Sequence, residues 1–230
     1  TLSDRPGMDS QKTDTFGLKV LRANRYNQFE SLTSTTDTDV VFSYDADWGN
    51  ADSHAPYTYD YFSETLRARE SLSQEFRFVS NDRYKSERLP FDWVVGFSYL
   101  KLNETNDRQD DGIYGDPNDP FSPYSSLVTS NSDYSSTNIS MFGSIEYEFT
   151  GFTKLSLGLR MEDWSAKYFD SNDERFNPSD SMMGGKLSLT HAFDEDKNVF
   201  ANYAKGYKQG GFNIGLGLLD STTSSDLEYD

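Results

Sequence analysis

Carboxylates are the most abundant reactive groups in this chain, which carries 38 Asp and Glu against 21 Lys and Arg for a formal net charge of −17. They crowd in Asn103–Tyr134, where Glu104, Asp107, Asp110, Asp111, Asp116, Asp119 and Asp133 face one basic residue, Arg108. Asp110, Asp111, Asp116 and Asp119 offer the oxygen ligands that calcium takes, but their spacing does not match the EF-hand loop. A solvated external loop is the better account of them. Asp37, Asp39, Asp45 and Asp47 carry the same two readings. His54 and His191 are the only histidines, and neither has a partner at metal-ligand spacing. The absence of cysteine excludes a disulfide scaffold, a zinc ribbon and a thiolate nucleophile. Glu75, Arg77, Glu146, Glu148, Arg160 and Glu162 are of the right types for paired acid–base work. No nucleophile with its base and orienting partner can be assembled around them. Gly210-Gly211 is not followed by the Lys-Ser/Thr of a phosphate loop. The residues predict no enzyme, no metal centre and no cofactor.

The elements that must position these groups are strands. Period-2 alternation recurs along the chain. It is clearest over Asn138–Phe149, where Ile139, Met141, Gly143, Ile145, Tyr147 and Phe149 share one face. Asn138, Ser140, Phe142, Ser144, Glu146 and Glu148 share the other. After the tight Thr150–Thr153 connection, Leu155, Leu157, Leu159 and Met161 alternate with Ser156, Gly158, Arg160 and Glu162. Phe91–Leu100, Leu72–Phe78 and Met183–Thr190 repeat the pattern, with weaker strands over Phe16–Ala23 and Phe29–Tyr44. The last strand runs through Asn198–Lys205, and Gly206–Asn213 is expected to throw the chain outward into an external loop. The total is about eight strands, each able to span a bilayer with about ten residues.

The connections alternate in length. Asn24–Gln28, Thr150–Thr153 and Asp194–Lys197 are short, and Asn81–Pro90 is moderate. Asp45–Asp60, Asn103–Tyr134 and Phe169–Asp180 are long. Such alternation, with 15 Tyr, 17 Phe and 3 Trp in a polar chain, suits a membrane β-barrel with aromatic girdles. Trp93, Tyr99, Tyr147, Phe149, Tyr203 and Tyr207 are the girdle candidates. The acidity argues against nucleic acid as a partner. No signal peptide opens the chain, and its C-terminus stops without a finished element, so an internal segment of a longer protein is expected.

The run Tyr203-Ala204-Lys205-Gly206-Tyr207-Lys208-Gln209-Gly210-Gly211-Phe212-Asn213 resembles the barrel of TonB-dependent outer-membrane receptors, in particular the siderophore-receptor-like members. Leu72–Ser80, Trp93–Leu100 and Leu155–Glu162 resemble the same family in order and spacing. The likeness covers the chain from about Phe16 onward. It implies an all-β, antiparallel up-and-down transmembrane barrel of 22 strands with a plug in its lumen, set in outer-membrane lipid of a Gram-negative bacterium. It also implies energised uptake of a scarce ligand, often a ferric siderophore, driven by the TonB complex. Residues 1–230 would then be one partial barrel domain, with the plug, the TonB box and the C-terminal strands absent.

On this reading the charged groups from Glu75 to Glu162 line the lumen and pair across strands. Tyr57, Tyr59, Tyr114, Phe121, Tyr124 and Phe212 are the candidates for contact with an external ligand, by their expected place in the outer loops. A passive porin-like channel is the alternative within membranes. A soluble carbohydrate-binding β-sandwich, folding without detergent, is the alternative outside them.

Overall fold

The computed structural model describes residues 3–81, 91–194, 196–212 and 228–229. Long strands dominate it: β1 (Met8–Ala23), β2 (Asn27–Asp45), β3 (Thr58–Ser80), β4 (Phe91–Gly115), β5 (Tyr124–Thr150) and β6 (Thr153–Asp170). After the two-residue β7 (Arg175–Phe176) come β8 (Ser179–Ala192) and β9 (Asn198–Lys205). One antiparallel sheet takes them in chain order, β1-β2-β3-β4-β5-β6-β8-β9, with β7 paired to the upper end of β6. Gly211–Phe212 (β10) pairs with Glu228–Tyr229 (β11) in a separate two-stranded ribbon. One short helix, α1 (Ala51–His54), sits in the β2–β3 connection, where Asn50 caps it.

The alternation seen in the sequence becomes two physically different faces. Across the sheet the register lines up Phe76, Phe97, Met141, Met161 and Met183 in one row. Rows of Trp93, Ile145, Leu157 and Leu187, then of Phe91, Tyr147, Leu155 and Leu189, run beside it. These side chains are open to the surroundings; Met141 is 63% exposed and Met161 56%. A water-soluble sheet would cover such a face, whereas lipid is its natural solvent. On β5 the belt extends from Ile139 to Phe149. Ten steps of about 3.3 Å, tilted by about 45°, give about 23 Å of height, which matches the apolar band of an outer-membrane barrel.

The opposite face holds what little core there is. Along β6 the even positions from Glu162 to Asp170 are all buried while the odd ones are exposed. Trp164, Ala166 and Met182 cluster there, with Tyr134 and Tyr207 packed against them. This is the inner face.

Two expectations change. Asn103–Tyr134 is not a long loop. Residues 103–115 continue β4 and residues 124–134 continue β5, paired from Asn103↔Ser135 to Tyr114↔Tyr124, and only residues 116–123 turn. Above the belt both faces meet water, so the alternation that marks a strand is lost while the hydrogen-bonded ladder is not. Likewise β5 has 27 residues where about ten suffice to cross a bilayer. The second change concerns the end of β9. Gly206–Gly210 does not leave outward; it turns over the inner face, where Tyr207 and Gln209 reach Glu162. Connections on the belt side remain short (24–26, 151–152, 193–197), and those at the other end are longer (46–57, 116–123, 171–178). The moderate connection expected at Asn81–Pro90 falls, but for Asn81, outside the described residues.

Candidate functional site: the inner face and its outer mouth

Strand parity decides which side chains meet on the inner face. Odd positions of β3, and even positions of β4, β5 and β6, point to it together. At mid-height this brings a carboxylate and its donors into one cluster. Glu162, 8% exposed, accepts from Asn138 Nδ2 at 2.6 Å, Arg160 at 2.8 Å, the Tyr207 hydroxyl at 3.1 Å and Gln209 Nε2 at 3.0 Å. A charge so sheltered persists only with this many partners. The cluster therefore fixes the segment after β9 to β6. Nearby, Glu75 pairs with Arg77 at 2.6 Å, Arg77 approaches Glu30 at 3.8 Å and Lys154 meets Glu146 at 3.2 Å. These are structural ion pairs, and none is joined to a nucleophile.

Above the belt the same face carries cations. Arg69 and Arg67 reach Glu104 at 2.5 and 3.6 Å, and Arg108 holds Asp110 at 3.0 Å. Higher still is an aromatic row. Tyr59, Tyr114 and Tyr124 are register partners on three neighbouring strands. The Tyr59 and Tyr114 rings meet edge-on at 6.4 Å, and Tyr59 also touches Tyr61 at 4.7 Å and His54 at 5.2 Å. Tyr57, Tyr59, Tyr114 and Tyr124 are each between 39% and 49% exposed.

The turns at this end are held by carboxylates. Asp47 accepts the N–H groups of Gly49 and Tyr61, each at 2.7 Å, and lies 3.3 Å from His54 Nε2. Asp119 accepts the Tyr124 hydroxyl at 2.5 Å and the Phe121 N–H at 2.9 Å. The Tyr124 hydroxyl, then that N–H, hold the Asp119 carboxyl below the usual range. Asp119 in turn pushes the Tyr124 phenol up. Among the described residues no group of three or more His, Asp or Glu side chains is placed to hold a metal ion. The aspartates of Asn103–Tyr134 are spread along two strands and a turn.

Comparison with known proteins decides what such a wall belongs to. The chain matches the family described as TonB dependent receptor-like, beta-barrel, over residues 3–228. This chain belongs to that family. The TonB-dependent receptor barrel is a non-enzymatic transporter architecture of the Gram-negative outer membrane. Among solved structures, the ferric yersiniabactin uptake receptor FyuA of Yersinia pestis is similar at a TM-score of 0.63 and 16% identity, over 89% of this chain and 29% of that one. BauA, the ferric preacinetobactin receptor of Acinetobacter baumannii, is similar at 0.60 and 14%, over 93% of this chain and 33% of that one. The copper transporter OprC is similar at 0.57 and 14%, over 84% and 30%. These likenesses establish the fold, and the chain spans about a third of the length of each such receptor. No curated protein sequence matches the chain.

In the receptor barrel the apolar belt faces lipid and the inner face is the lumen wall. Of the residues expected to meet a ligand, Tyr59, Tyr114 and Tyr124 lie on strands rather than loops and come together at the lumen mouth. Tyr57 precedes β3, with its N–H bonded to the His54 carbonyl at 2.9 Å. Phe121, 81% exposed, caps the 116–123 turn. Phe212 lies on the β10 ribbon, not in this row. Tyr61, Arg67 and Arg69 are not among the candidates that the sequence singles out, whereas His54 is, as a residue of the expected outer loop. The i, i+2 spacing of Tyr59 and Tyr61, and of Arg67 and Arg69, is the signal that places each pair on one face. Of the girdle candidates, Trp93, Tyr147 and Phe149 lie on the belt near the short turns, and Tyr99 lies at its opposite edge. Tyr203 is mid-belt opposite Leu187, and Tyr207 is on the lumen side.

Proposed function

We propose that the whole protein is a TonB-dependent transporter that takes up a scarce ligand, a ferric siderophore, across the outer membrane. Residues 1–230 would supply one part of the barrel wall and its outer mouth. The plug, the TonB-contacting segment and the remaining strands would belong to the rest of the protein. External capture at the mouth would be followed by movement of a plug held against the lumen wall and pulled by the TonB complex.

The observation that carries this reading is the row Tyr59–Tyr114–Tyr124 at the mouth, with the ion-paired Arg67, Arg69 and Arg108 six to ten residues further down the same face. Planar rings and guanidinium groups together suit an anionic chelate with aromatic or heteroaromatic arms. The likeness to the ferric-siderophore receptors FyuA and BauA supports the same class, and the likeness to the copper transporter OprC keeps copper in view as a competing cargo.

The test is ligand binding by the intact receptor. Replacing Tyr59, Tyr114 and Tyr124 with Ala removes ring contacts worth about 1 kcal/mol each, so affinity for the ferric siderophore that the unchanged receptor takes up should fall about 100-fold. Unchanged binding, or uptake that proceeds without TonB, would refute the proposal.

A further inference from the structure

We propose that the free edge of β5, from Ser125 to Thr129, is a docking site where an extended, Lys- or Arg-bearing peptide segment of an external protein adds as a strand. The inference rests on the longer connections facing outward, not on the cargo.

At this height β5 has one neighbour. Its pairing with β4 continues to Tyr124, but its pairing with β6 stops at Ser132↔Asp170, where β6 turns away. The last contact is Ser171, whose N–H donates to the Asn131 carbonyl at 3.0 Å and whose hydroxyl accepts the Asn131 N–H at 3.3 Å. Asn131 therefore turns its backbone groups to the β6 side, and every second residue of an antiparallel ladder does the same. Ser125, Leu127 and Thr129 present their N–H and C=O groups there, and none of these is bonded among the described residues. A closed barrel pairs the outer edges of β1 and β9. The β5 edge differs, because it lies between strands that are both in place.

Natural edges are blunted by charge, proline or a bulge. Tyr124–Asn131 has none of these: it is uncharged, and its register with β4 is unbroken. Residues 124–129 are all exposed, Leu127 at 65% and Val128 at 58%. Twelve steps of about 3.3 Å, tilted by about 45°, put Leu127 about 28 Å above Ile139, so lipid does not cover it.

Charge on the outer face names the occupant. The rows behind the edge are Glu64–Gln109–Thr129, Leu66–Asp107–Asn131, Phe62–Asp111–Leu127 and Asp60–Ile113–Ser125. They hold four carboxylates and no Lys or Arg. Arg5, from the segment before β1, is forked between Asp60 and Asp111 at 3.1 and 3.0 Å. On the inner face of the same strands Arg108 is matched by Asp110. Lower down, Lys167 and Arg175 are outnumbered by Asp133, Asp170, Asp173 and Glu174. An added strand stands about 4.8 Å from β5 and about 9.6 Å from β4. Alternate Lys or Arg side chains on its outer face are long enough to approach Asp107 and Asp111 over Ser125 and Thr129, and apolar residues between them pack beside Val128. A second copy does not fit. Two receptors in one membrane hold this edge upright in the same direction, so two-fold symmetry sets N–H against N–H at equal height.

The test uses the full-length receptor in nanodiscs of zwitterionic lipid and a fluorescent heptapeptide alternating Lys and Val, read by anisotropy. The peptide should bind saturably. Its fully N-methylated form keeps the charge but cannot extend a sheet, and should bind about tenfold more weakly, as should the peptide with Glu in place of Lys. Thr129→Pro removes an edge N–H without touching the ladder to β4, and should weaken binding of the Lys peptide about tenfold. Asp107→Asn should weaken it about threefold and flatten its salt dependence. Equal binding of the methylated and unmethylated peptides to the unchanged receptor would overturn the proposal whatever the variants do. Full binding by Thr129→Pro, or receptor dimers that form through this edge in place of peptide binding, would overturn it too.

Discussion

The lower and upper halves of the same strands obey different rules. Below Ile139 on β5, and at the matching heights of its neighbours, residues alternate between lipid and lumen, and each position has one permitted polarity. Above it the ladder continues unbroken to Tyr124, yet Thr129, Asn131, Asp133 and Ser135 share the outer face with no apolar requirement. The backbone hydrogen bonding is the same in both halves. What differs is the solvent, and it writes itself into the sequence only where lipid makes a polar side chain expensive.

Substitutions at matched outward positions should break the comparison open most widely. Ile145→Arg, in the middle of the belt, should destabilise the barrel by about 2–4 kcal/mol, whereas Thr129→Arg on the same strand and face should stay within about 0.5 kcal/mol. Urea unfolding of the intact receptor from lipid vesicles measures both. Equal effects would mean that the belt is not in lipid.

On the lumen side the contrast is between a satisfied charge and an open wall. Glu162→Ala strands Arg160 and releases Tyr207 and Gln209, and should cost about 1–3 kcal/mol. The Gly206–Gly210 segment should become protease-sensitive in the same variant, which limited proteolysis of the receptor in detergent would reveal.

A smaller effect is expected in the upper half. A Cβ at Gly112 would stand 2.2 Å from ring carbons of Tyr61. Gly112→Ala should therefore turn Tyr61 away from Tyr59 and lower stability by about 1 kcal/mol, with a loss of ligand affinity smaller than that of the triple tyrosine variant.

The smallest effect concerns pH. The depressed Asp119 carboxyl stabilises its turn fully above the ordinary value of 3.8, and that contribution is lost as pH falls through the lower folded value. The raised Tyr124 phenol keeps its proton past the ordinary 10.0, so its contribution is full below that value and is lost as pH rises through the higher one. The turn should hold its conformation across the range between. A difference titration of the phenolate ultraviolet band, native protein minus Tyr124→Phe, should show this one tyrosine ionising above 10.0.

The sequence showed the belt plainly because lipid enforces alternation: Ile139 to Phe149 and Leu155 to Met161 both took their observed faces. It hid the upper strands because Asn103–Gly115 and Tyr124–Tyr134 meet water on both sides, and three prolines with many aspartates looked like loop. Only Pro117, Pro120 and Pro123 at the turn itself meant what they seemed to mean. The aromatic part of the candidate site is visible as residue types, but its geometry depends on strand extensions that carry no alternation. Tyr59, Tyr114 and Tyr124 meet because the register of β3, β4 and β5 runs that far. The inward turn of Tyr207 was hidden for another reason: glycine permits either direction, and Glu162, 45 residues away, selects one.

The most direct test of the two-solvent account is a nitroxide scan of β5 in the intact receptor in bilayers, from Ser125 to Phe149, since this chain has no cysteine to interfere. Oxygen accessibility should alternate with period two from Ile139 to Phe149, high at odd positions, and the alternation should vanish from Ser125 to Thr137. Alternation along the whole strand, or its absence between Ile139 and Phe149, would contradict the account.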